Sequence, residues 1–174
     1  MRAKGLFTPY TPKGVFRRAP NHVEITRSAR HSKSMNETDK QLVRDSFVLL
    51  EQQSEIVPLI FFQRLFTTAP TLQPLFRGDM ETQSQRFFTA LRVIVAAIDD
   101  QERLKKYLAP LSARHRHYGV RAWQYENFGE ALLWTFNEVL GRQFTPAMML
   151  AWRNAYGLIT RLMVESETAT RTAA

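Results

Sequence analysis

From Met35 onward, apolar residues recur at every third or fourth position, and no stretch alternates apolar with polar as a half-buried strand would. The period predicts a succession of helices. Thr38 and Gln41 form a capping box ahead of LVRDSFVLLEQQ, residues 42–53. Ser54 is expected to cap EIVPLIFFQRLFTT, where Pro58 falls in the first turn and its missing N–H does little harm. APTLQPLF, residues 69–76, predicts a proline-punctuated turn or short helix. METQSQRFFTALRVIVAAI, residues 80–98, predicts a long helix ended by Asp99 and Asp100. RLKKYLAPLSARHRH, residues 103–117, is helical, broken or restarted at Pro110 and ended by Gly119. YENFGEALLWTFNEVL closes at Gly141, and TPAMMLAWRNAYGLITRLMVE opens with Thr145 as cap and Pro146 at the first helical position. The fold class expected is all-α, with six to eight helices in one domain over residues 35–167 and a frayed tail over 168–174.

Two polar residues interrupt the apolar stripes. Stepping back from His115 at helical spacing meets Leu111, Leu108 and Leu104, so His115 points inward. His117, two residues on, falls on a wetter side with Arg114 and Lys106. On the long helix, Met80, Phe87, Phe88, Leu91, Ile94, Val95 and Ile98 form the apolar face, and Gln83 falls on it one turn before Phe87. Each has a bland explanation: a satisfied core histidine, and a glutamine bonded to nearby backbone. Taken together they also describe a hydrophobic slot with a nitrogen ligand on one wall and an amide donor on the other.

Composition changes the picture in two ways. The chain has 174 residues, 44% hydrophobic and 11% aromatic, enough for one domain with a real core. It has no cysteine, which excludes disulfides, thiolate zinc sites, iron–sulfur clusters and cysteine nucleophiles. No apolar run approaches the roughly 20 residues of a membrane span, so no membrane role is expected, and a cytoplasmic location is. The net charge of +8 invites a nucleic-acid partner, but its distribution does not. Residues 1–34 carry eight Lys/Arg against one Glu, whereas residues 35–174 carry sixteen against fifteen. The basic character belongs to an N-terminal arm, expected to be disordered. Its Arg-rich, acid-poor composition is a faint signal of a transit peptide or an arm for an anionic surface, and the favoured reading is an extension ahead of a start at Met35.

Several segments in order resemble the globin family, in particular bacterial single-domain globins and the haem domain of flavohaemoglobins, with neuroglobin further off. They are FFQRLFTTAPTLQPLF, LSARHRHYGV, YENFGEALLWTFNEVLG and FTPAMMLAWRNAYG, and the resemblance runs from about Lys40 to Glu167. Carried across, it implies a haem b cofactor (iron protoporphyrin IX) with His115 as the proximal iron ligand. Phe76 looks like the globin phenylalanine that stacks on the porphyrin. Gln83, 32 positions before His115, looks like the distal residue; with the gap after Phe76 placed otherwise, Arg86 takes that position, although it lies off the apolar stripe and fits a haem propionate better. Phe62 stands where many bacterial relatives have a tyrosine, so Gln83 is left as the strong donor to bound ligand. Phe87 and Leu91 on the distal side, and Leu111, Tyr118, Val120 and Phe128 elsewhere, are implied as haem contacts. Tyr125 and Glu167 match the tyrosine and glutamate that in flavohaemoglobin-like globins bond the far nitrogen of the proximal histidine.

The function this implies is reversible binding of oxygen and other diatomic ligands, NO and CO included, by a monomer or homodimer. A second possibility is a nitric oxide dioxygenase. The chain carries no Gly-rich dinucleotide fingerprint, so that activity would need a separate electron-donating reductase. A third is a haem-free globin-like sensor or interaction domain.

Overall fold

A computed structural model describes residues 35–172, apart from the side chains at 167 and 169–172. The basic arm over 1–34 and the last two residues lie outside the described residues. Six α-helices and two short 3-10 helices follow one another: α1 Glu37–Glu51, α2 Ile56–Thr68, η1 Pro70–Leu75, α3 Met80–Ala96, α4 Gln101–His117, α5 Gln124–Leu140, η2 Gly141–Gln143 and α6 Pro146–Thr172. The all-α expectation holds, and among the described residues there is no strand. No described helix is long and apolar enough to cross a membrane.

The helix boundaries correct some of the local expectations. Asn36, not Thr38, is the N-cap of α1: its backbone is extended and its Oδ1 accepts from the Asp39 N–H at 2.7 Å. Gln41 does not reach back, because its amide is engaged with Asp45 and Arg44. Ser54 caps nothing; the turn into α2 is closed by the Gln53 carbonyl, which accepts from the N–H groups of Ile56 and Val57, so no side-chain cap is needed. Pro110 does not break α4, which runs unbroken to His117. Pro110 and Lys106 are both exposed, so water can serve the carbonyl that loses its donor. Asp79, Asp100, Thr145 and Gly141 end their helices, the first three by side-chain caps and Gly141 at φ +53°. α6 stays helical to Thr172, past the boundary at 167 expected from the sequence.

The long α6 is the spine. It packs along α1 and α4 and against α5, while α2 packs on α5 and η1 and touches α3. Fully buried Trp152 fixes the centre: its ring meets Phe136 of α5 at 4.7 Å, and its indole N–H donates to Ser46 Oγ of α1 at 2.8 Å. Ser46 in turn donates to the Leu42 carbonyl, so every polar atom in this buried link is partnered. Phe47 of α1 stacks on Phe88 of α3 at 5.6 Å, and Arg44 reaches Asp99 with both carboxylate oxygens within 2.8 Å. The consequence for function is that aromatic side chains of α2, α3 and the start of α5 meet one another, with the end of α4 beside them through the His115–Tyr125 contact.

Candidate functional site

The stripe that points His115 inward is present. Leu104 and Leu108 are buried on α4, and Leu111 and His115, further along the same face, are half-buried. The imidazole Nδ1 lies 2.8 Å from the Leu111 carbonyl oxygen. A carbonyl only accepts, so Nδ1 carries a proton, and in the neutral ring Nε2 then holds the lone pair. That is the tautomer a metal ligand requires, and the helix backbone itself imposes it. The Val120 N–H donates to the His115 carbonyl at 3.0 Å, so the turn after α4 folds back on the histidine.

Aromatic contacts carry the wall onward from His115. The Tyr125 ring lies 6.4 Å from the imidazole, and Tyr125 is buried. One turn along α5, Phe128 meets Phe61 of α2 at 4.6 Å and faces Phe87 of α3 at 6.5 Å. Phe87 stacks on Phe61 at 4.3 Å and leans on Phe62 at 5.8 Å. Phe62 meets Phe76, just after η1, edge-on at 5.3 Å, and Phe66 meets Phe76 in the same way. Beyond Phe76 the circuit is not aromatic: a Cβ at Gly119, where φ is +90°, would lie 3.8 Å from Leu75. Ring contacts therefore run from α4 to α5, to α2 and α3, and to the end of η1.

The expected residues fall on this circuit unevenly. Phe62 and Leu91 are buried, and Phe76, Phe87, Leu111, Val120 and Phe128 are half-buried. Gln83 is half-buried in the first turns of α3, its amide nitrogen 3.9 Å from where a Gly78 Cβ would stand. Arg86 is exposed and lies near Asp79, whose carboxyl is held below its usual range chiefly by the Thr82 side chain and then by the Thr82 N–H, with Arg86 adding to that. Tyr118 is not brought to the circuit; it is 57% exposed and faces His117 at 5.9 Å. Trp123, at the N-cap of α5, is 64% exposed. Glu167 is part of α6, but its side chain lies outside the described residues.

Phe61 is a residue the sequence did not single out. It sits beside Phe62 in the FF pair, is fully buried, and touches Phe62, Phe87 and Phe128 at once. Tyr156 of α6 is another. Its hydroxyl donates to the Tyr125 carbonyl at 2.6 Å, and its ring fills a notch made by Gly129 of α5, where a Cβ would sit 2.5 Å from the ring. Burial pushes the Tyr156 phenol far above its usual value. Neither role is visible without the helices that meet there, although the Gly inside a helical pattern was a signal of close packing.

Among the described residues no group of three or more His, Cys, Asp or Glu could hold a metal ion. One imidazole against an aromatic wall does not bind a bare ion. It fits a flat apolar macrocycle that brings its own metal donors and needs one axial nitrogen.

The globin family model matches residues 59–163. The chain is 30% identical over 139 residues to a flavohemoprotein of Schizosaccharomyces pombe, covering 78% of this chain and 33% of that protein. It is 28% identical over 137 residues to a flavohemoprotein of Halalkalibacterium halodurans, covering 77% and 33%. It thus spans about a third of the length of these curated relatives. Among solved structures, an engineered carbene transferase from a putative nitric oxide dioxygenase of Rhodothermus marinus superposes with a TM-score of 0.73 at 26% identity, covering 80% of this chain and 98% of that one. A bacterial globin from Campylobacter jejuni shares the fold with a TM-score of 0.69 at 22% identity, covering 79% and 99%. By sequence match and by fold, this chain belongs to the globin family.

Proposed function

We propose that the protein is a haem-binding globin that reversibly binds oxygen and other diatomic ligands, with Nε2 of His115 as the axial ligand to iron. The observation that carries the proposal is the bond from His115 Nδ1 to the Leu111 carbonyl at 2.8 Å, beside the aromatic wall that begins at Tyr125. When bound, the haem would supply an iron centre that takes up diatomic gases and changes oxidation state. The chain has no cysteine for thioether attachment, so the group would be held non-covalently, as haem b is. Phe76, Phe62 and Phe87 would press on its faces and keep water out. Gln83 would donate to the partial negative charge on bound oxygen, with no hydroxyl at Phe62 to help it. Arg86, exposed beside Asp79, would reach a propionate. Titrating hemin into the purified protein tests this. A sharp end point at one equivalent, with a band that shifts when the reduced protein meets CO, is expected; hemin absorbance with no end point would overturn the proposal.

Nitric oxide dioxygenation with a separate reductase is the second reading, favoured by the Tyr125 ring 6.4 Å from His115 and by a structural neighbour described as a putative nitric oxide dioxygenase. In that reading Tyr125, with Glu167, would polarise the His115 imidazole and raise electron density on iron. Aerobic NO consumption with an added reductase would then fall in Tyr125→Leu while oxygen binding persisted. Equal NO consumption by the two proteins would dismiss the second reading and leave the first.

A further inference from the structure

The corner between α4 and α5 carries a charge pattern that gas binding does not use. From Arg103 to Tyr125 there are six Lys/Arg and no Asp/Glu, although residues 35–174 as a whole are nearly balanced. Lys105 is paired with Glu102 at 2.7 Å, but among the described residues Arg114, Arg116 and Arg121 have no carboxylate partner. All three are exposed, as is His117. Between them stand Tyr118 and Trp123, which are 57% and 64% exposed. A tryptophan and a tyrosine left in water among arginines are the residue types that dominate protein interfaces.

The corner is also well built. Backbone bonds from Tyr118, Gly119 and Val120 return to Arg114, Arg116 and His115, and the Gln124 side chain accepts from the Arg121 N–H at 2.7 Å. A surface held this way loses little freedom on binding. It lies at the end of the helix that carries His115, and Gly119 within it abuts Leu75, next to Phe76.

We propose that this corner is the docking face for an acidic one-electron donor protein that reduces the iron. The proposal rests on the haem reading above. Arg114, Arg116 and Arg121 steer an acidic surface into place, and Tyr118 and Trp123 anchor it at the end of the helix that carries His115. The donor's reduced metal cluster loses one electron, and ferric iron gains it to become ferrous. No proton or further reactant is required.

The test uses the full chain loaded with hemin and an acidic plant-type [2Fe–2S] ferredoxin as donor. The Soret band is recorded first, then the rate of iron reduction by reduced ferredoxin at low and high salt. Two variants make the same charge change in different places: Arg121→Glu at the corner, and Arg142→Glu beyond the other end of α5. At low salt, Arg121→Glu is expected to slow reduction roughly tenfold and Arg142→Glu to leave it within about twofold, the gap closing at high salt. Calorimetric titration with oxidised ferredoxin is expected to rank the affinities in the same order, with Trp123→Ala also weakened. Equal rates and affinities for the two charge variants, with the Soret band intact, would overturn the docking proposal alone. Absence of a Soret band after haem addition would overturn the haem reading and this proposal with it.

Discussion

Gly129→Ala is the most informative single change in the helical frame. In an exposed helix the substitution would stabilise by about 1 kcal/mol, because alanine is the better helix former. Here the new methyl would stand 2.5 Å from Cε1 and 2.7 Å from Cδ1 of Tyr156, about 1 Å inside ordinary carbon–carbon contact. The ring cannot retreat freely, since its hydroxyl is bonded to the Tyr125 carbonyl at 2.6 Å. A shift of that size breaks the bond and strands a buried hydroxyl at about 1–3 kcal/mol, on top of about 1–3 kcal/mol for overpacking. Net of the helix gain, the variant should lose roughly 1–5 kcal/mol. Urea unfolding followed by circular dichroism measures this. In a Tyr156→Phe background the ring has no hydroxyl to lose, so the same change should cost about 1–3 kcal/mol less. A neutral or stabilised Gly129→Ala would refute the reasoning, because it would mean that the Tyr156 ring does not occupy the notch.

Other consequences follow from the same contacts. Phe61→Ala removes a fully buried ring shared by three aromatic neighbours and should destabilise by about 3–5 kcal/mol in the same unfolding assay. Gln83→Leu should release oxygen roughly tenfold faster in stopped-flow displacement by CO, the loss of about 1.4 kcal/mol of hydrogen bonding; an unchanged off-rate would remove Gln83 from the ligand's surroundings. Burial raises the Tyr156 phenol above its unfolded value near about 10, so its contribution to stability is complete below that pH and is lost as pH climbs toward the folded value. Unfolding free energy should therefore fall above about pH 10, and less steeply in Tyr156→Phe.

The stripe Leu104–Leu108–Leu111–His115 was legible in the sequence because a helix face is a local property: spacing alone decides which residues share it. The same holds for the Thr145–Pro146 start of α6 and the Gly141 end of α5. Ser54 and Thr38 misled because a cap depends on which residue's backbone is extended, and Asn36 and the Gln53 carbonyl took those roles. Pro110 misled because a helix continues through a proline when water can serve the freed carbonyl. Trp123 and Tyr118 could not be placed by residue type, since nothing local says whether a neighbouring helix covers a corner. Phe61, Tyr156 and Gly129 work through partners on other helices, 31 residues away for the Tyr156 bond to Tyr125 and 67 for Phe61 against Phe128, which a single chain pattern does not display. The resemblance to globins supplied the ordering of segments that periodicity alone left open.

The proposed iron ligation turns on one nitrogen, Nε2 of His115. Absorption spectra of the hemin-loaded protein and of His115→Gly, each ferric, reduced and with CO, test it most directly. A sharp Soret band in the parent that shifts with CO is expected, with its loss in His115→Gly and its return when free imidazole is added to fill the space of the missing ring. A Soret band in His115→Gly identical to the parent's, indifferent to imidazole, would show that some other residue holds the iron and would contradict it.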